Sequence, residues 1–118
     1  MNRLHAIRNA ALALALLTLV SGCFVAIEAQ AKKDLRYQRA EAVLLVQALS
    51  EPEGSFTLYQ RCKVLRVIKN VTDERFGTEV DVIFANTENG LTKAETIVFL
   101  RRGGRKGQEW LRLPPEKG

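Results

Sequence analysis

The chain has 118 residues, and its 18 Lys and Arg outnumber its 13 Asp and Glu, which gives a formal net charge of +5. The only histidine is His5, so the rest of the chain offers no imidazole for a Ser or Cys triad, for general base catalysis or for zinc. No phosphate loop, calcium loop or dinucleotide fingerprint is present. We therefore expect no catalytic residues, no metal site and no cofactor.

The first residues have the pattern of an export signal. Arg3 and Arg8 supply positive charge, the uncharged apolar run 10–20 follows, and the run ends in Val20-Ser21-Gly22-Cys23. This ending resembles the lipobox of bacterial lipoproteins. The resemblance implies cleavage before Cys23, thioether lipidation of Cys23, and a protein held on a membrane by acyl chains, facing the periplasm or the exterior.

Two other interpretations of the same segment remain open. Ala29-Gln30-Ala31 has small residues at the two positions that an ordinary signal peptidase inspects, so cleavage before Lys32 would release a soluble periplasmic or secreted protein. Alternatively, the apolar stretch from Ala10 to Ile27 is just long enough to be an uncleaved anchor. The sequence thus divides into a signal segment (1–22, or 1–31), a tether (23–40), a β domain (41–113) and a tail (114–118).

The first segment of the β domain is apolar on both faces. The run Ala42 to Leu49 favours a buried strand, because Glu51-Pro52-Glu53-Gly54 follows it as a turn. A helix from Asp34 to Leu49 is the alternative, since four apolar residues of that segment share one helical stripe.

The next segment alternates between apolar and polar residues. We place Phe56, Leu58, Cys62 and Val64 on the core face, and we interpret the change of phase after Val64 as a β-bulge. Beyond Cys23 the only cysteine is Cys62, so this part of the chain has no internal disulfide. We expect Cys62 to be a buried thiol that behaves as a small hydrophobe.

Three further strands follow, separated by turn signals. They are 80–84, 96–100 and 109–113, with Asn89-Gly90 and Gly103-Gly104 between them and Pro114-Pro115 after the last. The predicted fold class is therefore mainly β: a small five-stranded antiparallel OB-like barrel, or a strongly bent sheet, after an N-terminal targeting helix.

The strand pattern also resembles a known module. Phe56 to Lys69, Gly77 to Phe84, Leu91 and Ala94 to Leu100 follow one another as in the netrin-like module shared with tissue inhibitors of metalloproteinases. The resemblance implies an OB-fold barrel. The inhibitory mechanism of that family uses a free N-terminal cysteine, so it does not transfer here: lipidation acylates the amine of Cys23, and cleavage before Lys32 removes the residue.

One basic cluster and a few aromatic residues are the candidates for ligand binding. Gly103-Gly104 brings four cations together at a hairpin tip: Arg101, Arg102, Arg105 and Lys106. Tyr59, Phe76 and Trp110 are the candidate stacking residues, and Tyr59 and Trp110 are the two that we expect to act with this hairpin. The alternatives are a charged turn that keeps the protein soluble and aromatic rings that pack in the core.

Two hypotheses for function follow. The first is a non-enzymatic interaction module, exported to the envelope and tethered there through Cys23, that binds an envelope protein or polymer. The second is a barrel that binds an anionic ligand, such as single-stranded nucleic acid, acidic glycan or a lipid head group, through the 101–106 hairpin. Nucleic acid is the less favoured ligand, because charges of both signs alternate along most of the chain.

Overall fold

The computed structural model describes residues 25–115, and the chain divides into two compact units between Lys33 and Asp34. In the first unit, residues 25–33 are helical (α1). Within residues 25–115 no helix has both the length and the apolar character needed to cross a bilayer. The apolar run 10–20 and Cys23 lie outside the described residues, so cleavage and lipidation stay predictions.

The second unit begins with a short helix and continues as six strands. The helix is α2 (Arg36–Arg39), and the strands are β1 (Ala42–Ala48), β2 (Glu53–Gly54), β3 (Thr57–Asn70), β4 (Glu79–Ala85), β5 (Thr96–Gly103) and β6 (Glu109–Arg112). The segment 42–48 is therefore a strand, as the sequence favours, and the alternative helix through residue 49 is wrong. Helix propensity does not decide this segment, since five of its seven residues are Ala, Leu or Gln; its burial on both faces between β3 and β5 does.

Five of the strands close into a mixed β-barrel. The order of pairing around the barrel is β1, β3, β4, β6, β5 and back to β1, and β2 adds a two-residue hairpin to the start of β3. Four of these pairings are antiparallel, and β4 with β6 is parallel. The expectation of a purely antiparallel sheet is wrong for a geometric reason: strand direction cannot alternate around a closed ring that contains an odd number of strands.

The long strand β3 bends where the sequence indicates a bulge. Against β1 its register shifts twice: Leu45 pairs with Arg66 while Val46 pairs with Val64, and a second shift lies between Val43 and Leu44. Each extra residue increases the local twist and bends the strand. The bend lets β3 pair with β4 through residues 57–63 and with β1 through residues 62–70.

Alternate residues of the strands fill the barrel. The interior cluster consists of buried residues from all five strands and one loop: Ala42, Leu44, Val46, Ala48, Cys62, Val80, Val82, Phe84, Leu91, Val98, Leu100 and Trp110. Outward-facing residues of β1 and β5 are buried as well, including Val43, Leu45 and Phe99, and the Arg36 guanidinium lies 4.3 Å from the centre of the Phe99 ring. The expectation that β1 is a buried strand is confirmed, and residues of both faces of β5 are buried as well.

Phe56 departs from the expected core position. It is 85% exposed, because the β2–β3 hairpin turns at residues 55–56 and β3 begins only at Thr57. Cys62 meets its expectation, since it is a free cysteine and fully buried. Burial raises the pKa of its thiol to about 11, so the thiol stays protonated at neutral pH.

A buried glutamine joins two loops at one end of the barrel. Gln60 occupies a core position of β3 and is 1% exposed. Its amide nitrogen donates to the carbonyl oxygens of Ser50 and Leu91, both at 2.8 Å, and its amide oxygen accepts from the Leu91 N–H at 2.7 Å. Gly90 allows this approach, since a Cβ at that position would lie 2.6 Å from Pro52 Cγ. The Gln60 side chain thus replaces the strand pairing that these loops lack.

Candidate functional site

The outer face of β3 and β4 carries side chains in cross-strand rows. The register places Tyr59 opposite Ile83, Arg61 opposite Asp81 and Lys63 opposite Glu79. Side chains at directly opposite positions are close enough to interact. One row is therefore apolar and aromatic, and the next two are charged.

Tyr59 is the half-exposed aromatic residue of this face. It is 48% exposed, and its hydroxyl donates a hydrogen bond of 2.9 Å to Glu53 on β2. This hydrogen bond to a carboxylate raises the pKa of Tyr59, so the phenol remains a donor at neutral pH. The β2 hairpin therefore holds the ring in place beside the face of β4.

The two acids of β4 share one arginine. Arg61 Nε lies 3.0 Å from Asp81 Oδ1, and Arg61 Nη2 lies 3.2 Å from Asp81 Oδ2. Arg61 Nη1 lies 3.9 Å from Glu79 Oε2. The hydrogen bond to Asp81 and the nearby acid charges raise the pKa of Arg61. Exposed ion pairs of this kind contribute little to stability. Their larger effect is to fix the positions of the charges on this face.

A cleft of about 460 Å³ opens beside β4. Its lining comes from β3, from the 71–78 connector, from β4 and from the start of β6: Tyr59, Glu74, Arg75, Phe76, Gly77, Glu79, Val80, Asp81, Ile83, Gln108, Glu109 and Trp110. Four of these residues are acidic and one is basic, so the walls carry a negative formal charge. Two smaller depressions on the same face also include Asp81.

Aromatic side chains form the floor of the cleft. Phe76 packs against Trp110, with ring centres 5.0 Å apart and planes tilted by 38°. Trp110 is 5% exposed and belongs to the barrel interior. Arg102 also contacts this group, with its guanidinium 5.3 Å from the centre of the Trp110 ring and an ion pair to Glu74. Phe76 and Arg102 thus hold the 71–78 connector against the start of β6.

The basic hairpin is divided between two environments. Arg102 is half-buried beside Glu74 and Trp110, whereas Arg101, Arg105 and Lys106 are exposed. Gly104 has a φ of +67°, in the left-handed region that favours glycine, and this lets the turn reverse. The Arg105 N–H then donates to the Glu109 carboxylate at 2.6 Å. The four cations therefore do not form one continuous surface, and two acids lie among them.

The structure brings together only some of the residues that the sequence analysis identifies. Tyr59 and Trp110 line the same cleft. Arg102 forms an ion pair with Glu74, which also lines it. Phe76, the third candidate stacking residue, lines this cleft as well. Sequence reasoning missed Gly77 of the connector and Gln108 just before β6 as lining residues, and no local pattern marks either of them.

A second depression of about 480 Å³ lies by the loops that Gln60 joins, lined by residues that include Pro52, Gly90 and Lys93. Among residues 25–115, no three His, Cys, Asp or Glu side chains come together in a way that could hold a metal ion. No protein-family model, curated protein or solved structure matches this chain.

Proposed function

We propose that the chain is an exported envelope protein, lipidated at Cys23, whose β domain is a non-enzymatic binding module. The basic start, the apolar run and the Val20-Ser21-Gly22-Cys23 ending support export and lipidation. The position of the sole histidine at His5 supports a binding role over hydrolytic or metal-dependent chemistry in the β domain.

We further propose that the barrel is of the OB type. Numbered without the short β2, its strands follow the order 1-2-3-5-4 and close back on strand 1, with strands 3 and 5 parallel. This closed, five-stranded arrangement supports the assignment. OB-folds bind ligands on the face of their second and third strands, which correspond here to β3 and β4. The proposed module therefore has its binding face on the side that carries Tyr59 and Asp81.

The observation that carries the proposal is the cleft between β4 and the start of β6. It lies within the range of about 300–1,000 Å³ that small binding sites occupy. It combines an aromatic floor with polar and acidic walls, and this mixture is typical of a recognition surface. A protein or polymer of the envelope is the proposed partner.

A photo-crosslinker placed in the cleft tests this function. Gly77 lines the cleft, and a Cβ added there would meet no atom within 4 Å, so we choose this position for benzoylphenylalanine. The matched control carries the same group at Lys93, in the second depression. In the native cells we expect one defined adduct from position 77, lost when Ile83→Glu is added, and no such adduct from position 93. Equal adducts from both positions, or none from position 77, would refute the cleft as the binding site.

The exposed half of the basic hairpin supports a second candidate function. Arg101, Arg105 and Lys106 are exposed together near the tip, and an anionic lipid head group, glycan or nucleic acid could contact them. The two functions differ in their dependence on salt. Contacts with phosphate or sulfate weaken steeply as salt rises, whereas an apolar protein interface responds little.

A further inference from the structure

The first half of β4 has a strand on one side only. β3 pairs with β4 from Glu79 through Ala85, but β6 pairs with β4 only at Val82 and Ile83. Among the described residues, no strand pairs with residues 79–81 on the side away from β3. The barrel is therefore closed by a two-residue parallel ladder, and a length of strand edge stays open beside it.

The register indicates which backbone groups face this edge. The Val64 N–H donates to the Thr78 carbonyl at 2.8 Å, so the backbone of Thr78 faces β3. Backbone groups alternate in direction along an antiparallel strand, and the register is constant from Glu79 to Ala85. The N–H groups of Glu79 and Asp81 therefore face away from β3.

The cleft described above lies along this same edge. Its lining includes Val80, which belongs to the barrel interior, as well as Asp81 and Ile83 of the outer face. A cleft lined by residues from both faces of one strand lies at the edge of that strand. Three residues of strand span about 10 Å, so the open edge accommodates a short extended segment.

The charge of the cleft indicates which segment fits. Its walls hold Glu74, Glu79, Asp81 and Glu109 against Arg75. Arg61 and Arg102 pair with three of these acids from the margin of the cleft, so four acids face three arginines and a small negative formal charge remains, within a chain whose overall charge is positive. An acidic segment would meet like charges there, whereas a basic one would be attracted and oriented. The floor of Phe76 and Trp110 offers apolar surface to the alternate side chains of an added strand.

We propose that the open edge of β4 accepts an extended, basic peptide segment of a partner protein, which adds as a strand beside residues 79–81. This inference rests on the proposed binding function of the cleft and names its ligand class. Backbone hydrogen bonds to Glu79 and Asp81 would supply affinity, and the acidic walls and aromatic floor would supply the preference for alternating basic and apolar residues.

The test uses the full chain, labelled with ¹⁵N in detergent micelles, and the probe peptide acetyl-KVKVK-amide. We expect saturable shifts of the Glu79 and Asp81 amide signals, together with slower hydrogen exchange at both amides. The acidic peptide acetyl-EVEVE-amide should leave both signals unchanged. N-methylation of the central Val-Lys-Val removes the backbone donors that would face β4 in either strand direction, and it should lower the affinity at least about tenfold.

Two charge variants distinguish binding of the basic peptide in the cleft from its nonspecific electrostatic attraction to the chain. Glu79→Gln should weaken binding of the basic peptide about threefold. Glu51→Gln makes the same charge change in the second depression and should have no effect. Equal weakening by both variants would overturn the proposed site.

The remaining outcomes are also decisive. Binding in the cleft that is insensitive to N-methylation would overturn strand addition and leave the proposed function standing. If several millimolar basic peptide shifts neither the Glu79 nor the Asp81 amide signal, a basic peptide is not the ligand of this edge. The proposed binding function of the cleft is tested separately, by crosslinking from position 77. Shifts of the same two amides on concentrating the chain without peptide would show that a second copy occupies the edge, and would overturn a partner peptide.

Discussion

Leucine has nearly the size and shape of glutamine, but replacing Gln60 by leucine should destabilise the β domain strongly. The side chain is 1% exposed and makes three hydrogen bonds of 2.7–2.8 Å with the backbone of two loops. Gln60→Leu leaves two carbonyls and one N–H without this partner, and each unsatisfied buried group costs about 1–3 kcal/mol. Water reaching the Ser50 carbonyl reduces the total, so we expect a loss of about 3–5 kcal/mol in the free energy of unfolding.

That loss is a large part of the 5–15 kcal/mol typical of whole domains. Urea unfolding of the full chain, followed by the fluorescence of Trp110, the only tryptophan, measures it. Gln47→Leu on β1 is the matched control, and it should change the free energy of unfolding by less than about 0.5 kcal/mol. Hydrogen exchange of the Leu91 amide should also accelerate in Gln60→Leu. A loss below about 1 kcal/mol, or unchanged protection of the Leu91 amide, would refute the role assigned to Gln60.

Three further predictions concern the cysteines and the basic hairpin. Because burial raises the pKa of Cys62 to about 11, its thiolate fraction at pH 8 is very small. Iodoacetamide should therefore label Cys62 only after unfolding or as pH approaches 11. Rapid labelling of the folded chain at pH 8 would contradict the burial of this thiol. Intact mass should show a mature N-terminus at Cys23 with added diacylglyceryl and acyl groups, whereas an unmodified start at Lys32 would rule out lipidation. Neutralising the four cations of the 101–106 hairpin should weaken association with anionic vesicles by at most about 1 kcal/mol per residue at low salt; unchanged association would identify the hairpin as a solubilising turn.

Most strands follow from local pattern. In 80–84 the alternation of residues between core and solvent matches the burial of β4, and the change of phase after Val64 corresponds to a register shift of β3. These features depend on residues that are neighbours in sequence, so the period of the side chains is enough to predict them. A closed ring of five strands requires at least one parallel pair, but which two strands form it depends on the tertiary structure.

The sequence by itself determined the strands, the turns and the predicted export signal, since each of these is encoded in a short contiguous segment. Only the tertiary structure decided the surroundings of individual side chains. Gln60 is buried because two distant loops bring backbone groups to its amide, and Phe56 is exposed because a hairpin turns before it can enter β3. The cleft combines β4 with the 71–78 connector and the start of β6, and the contact between Phe76 and Trp110 joins positions 34 residues apart. Such sites arise from the closure of the barrel, which no local pattern of residues records.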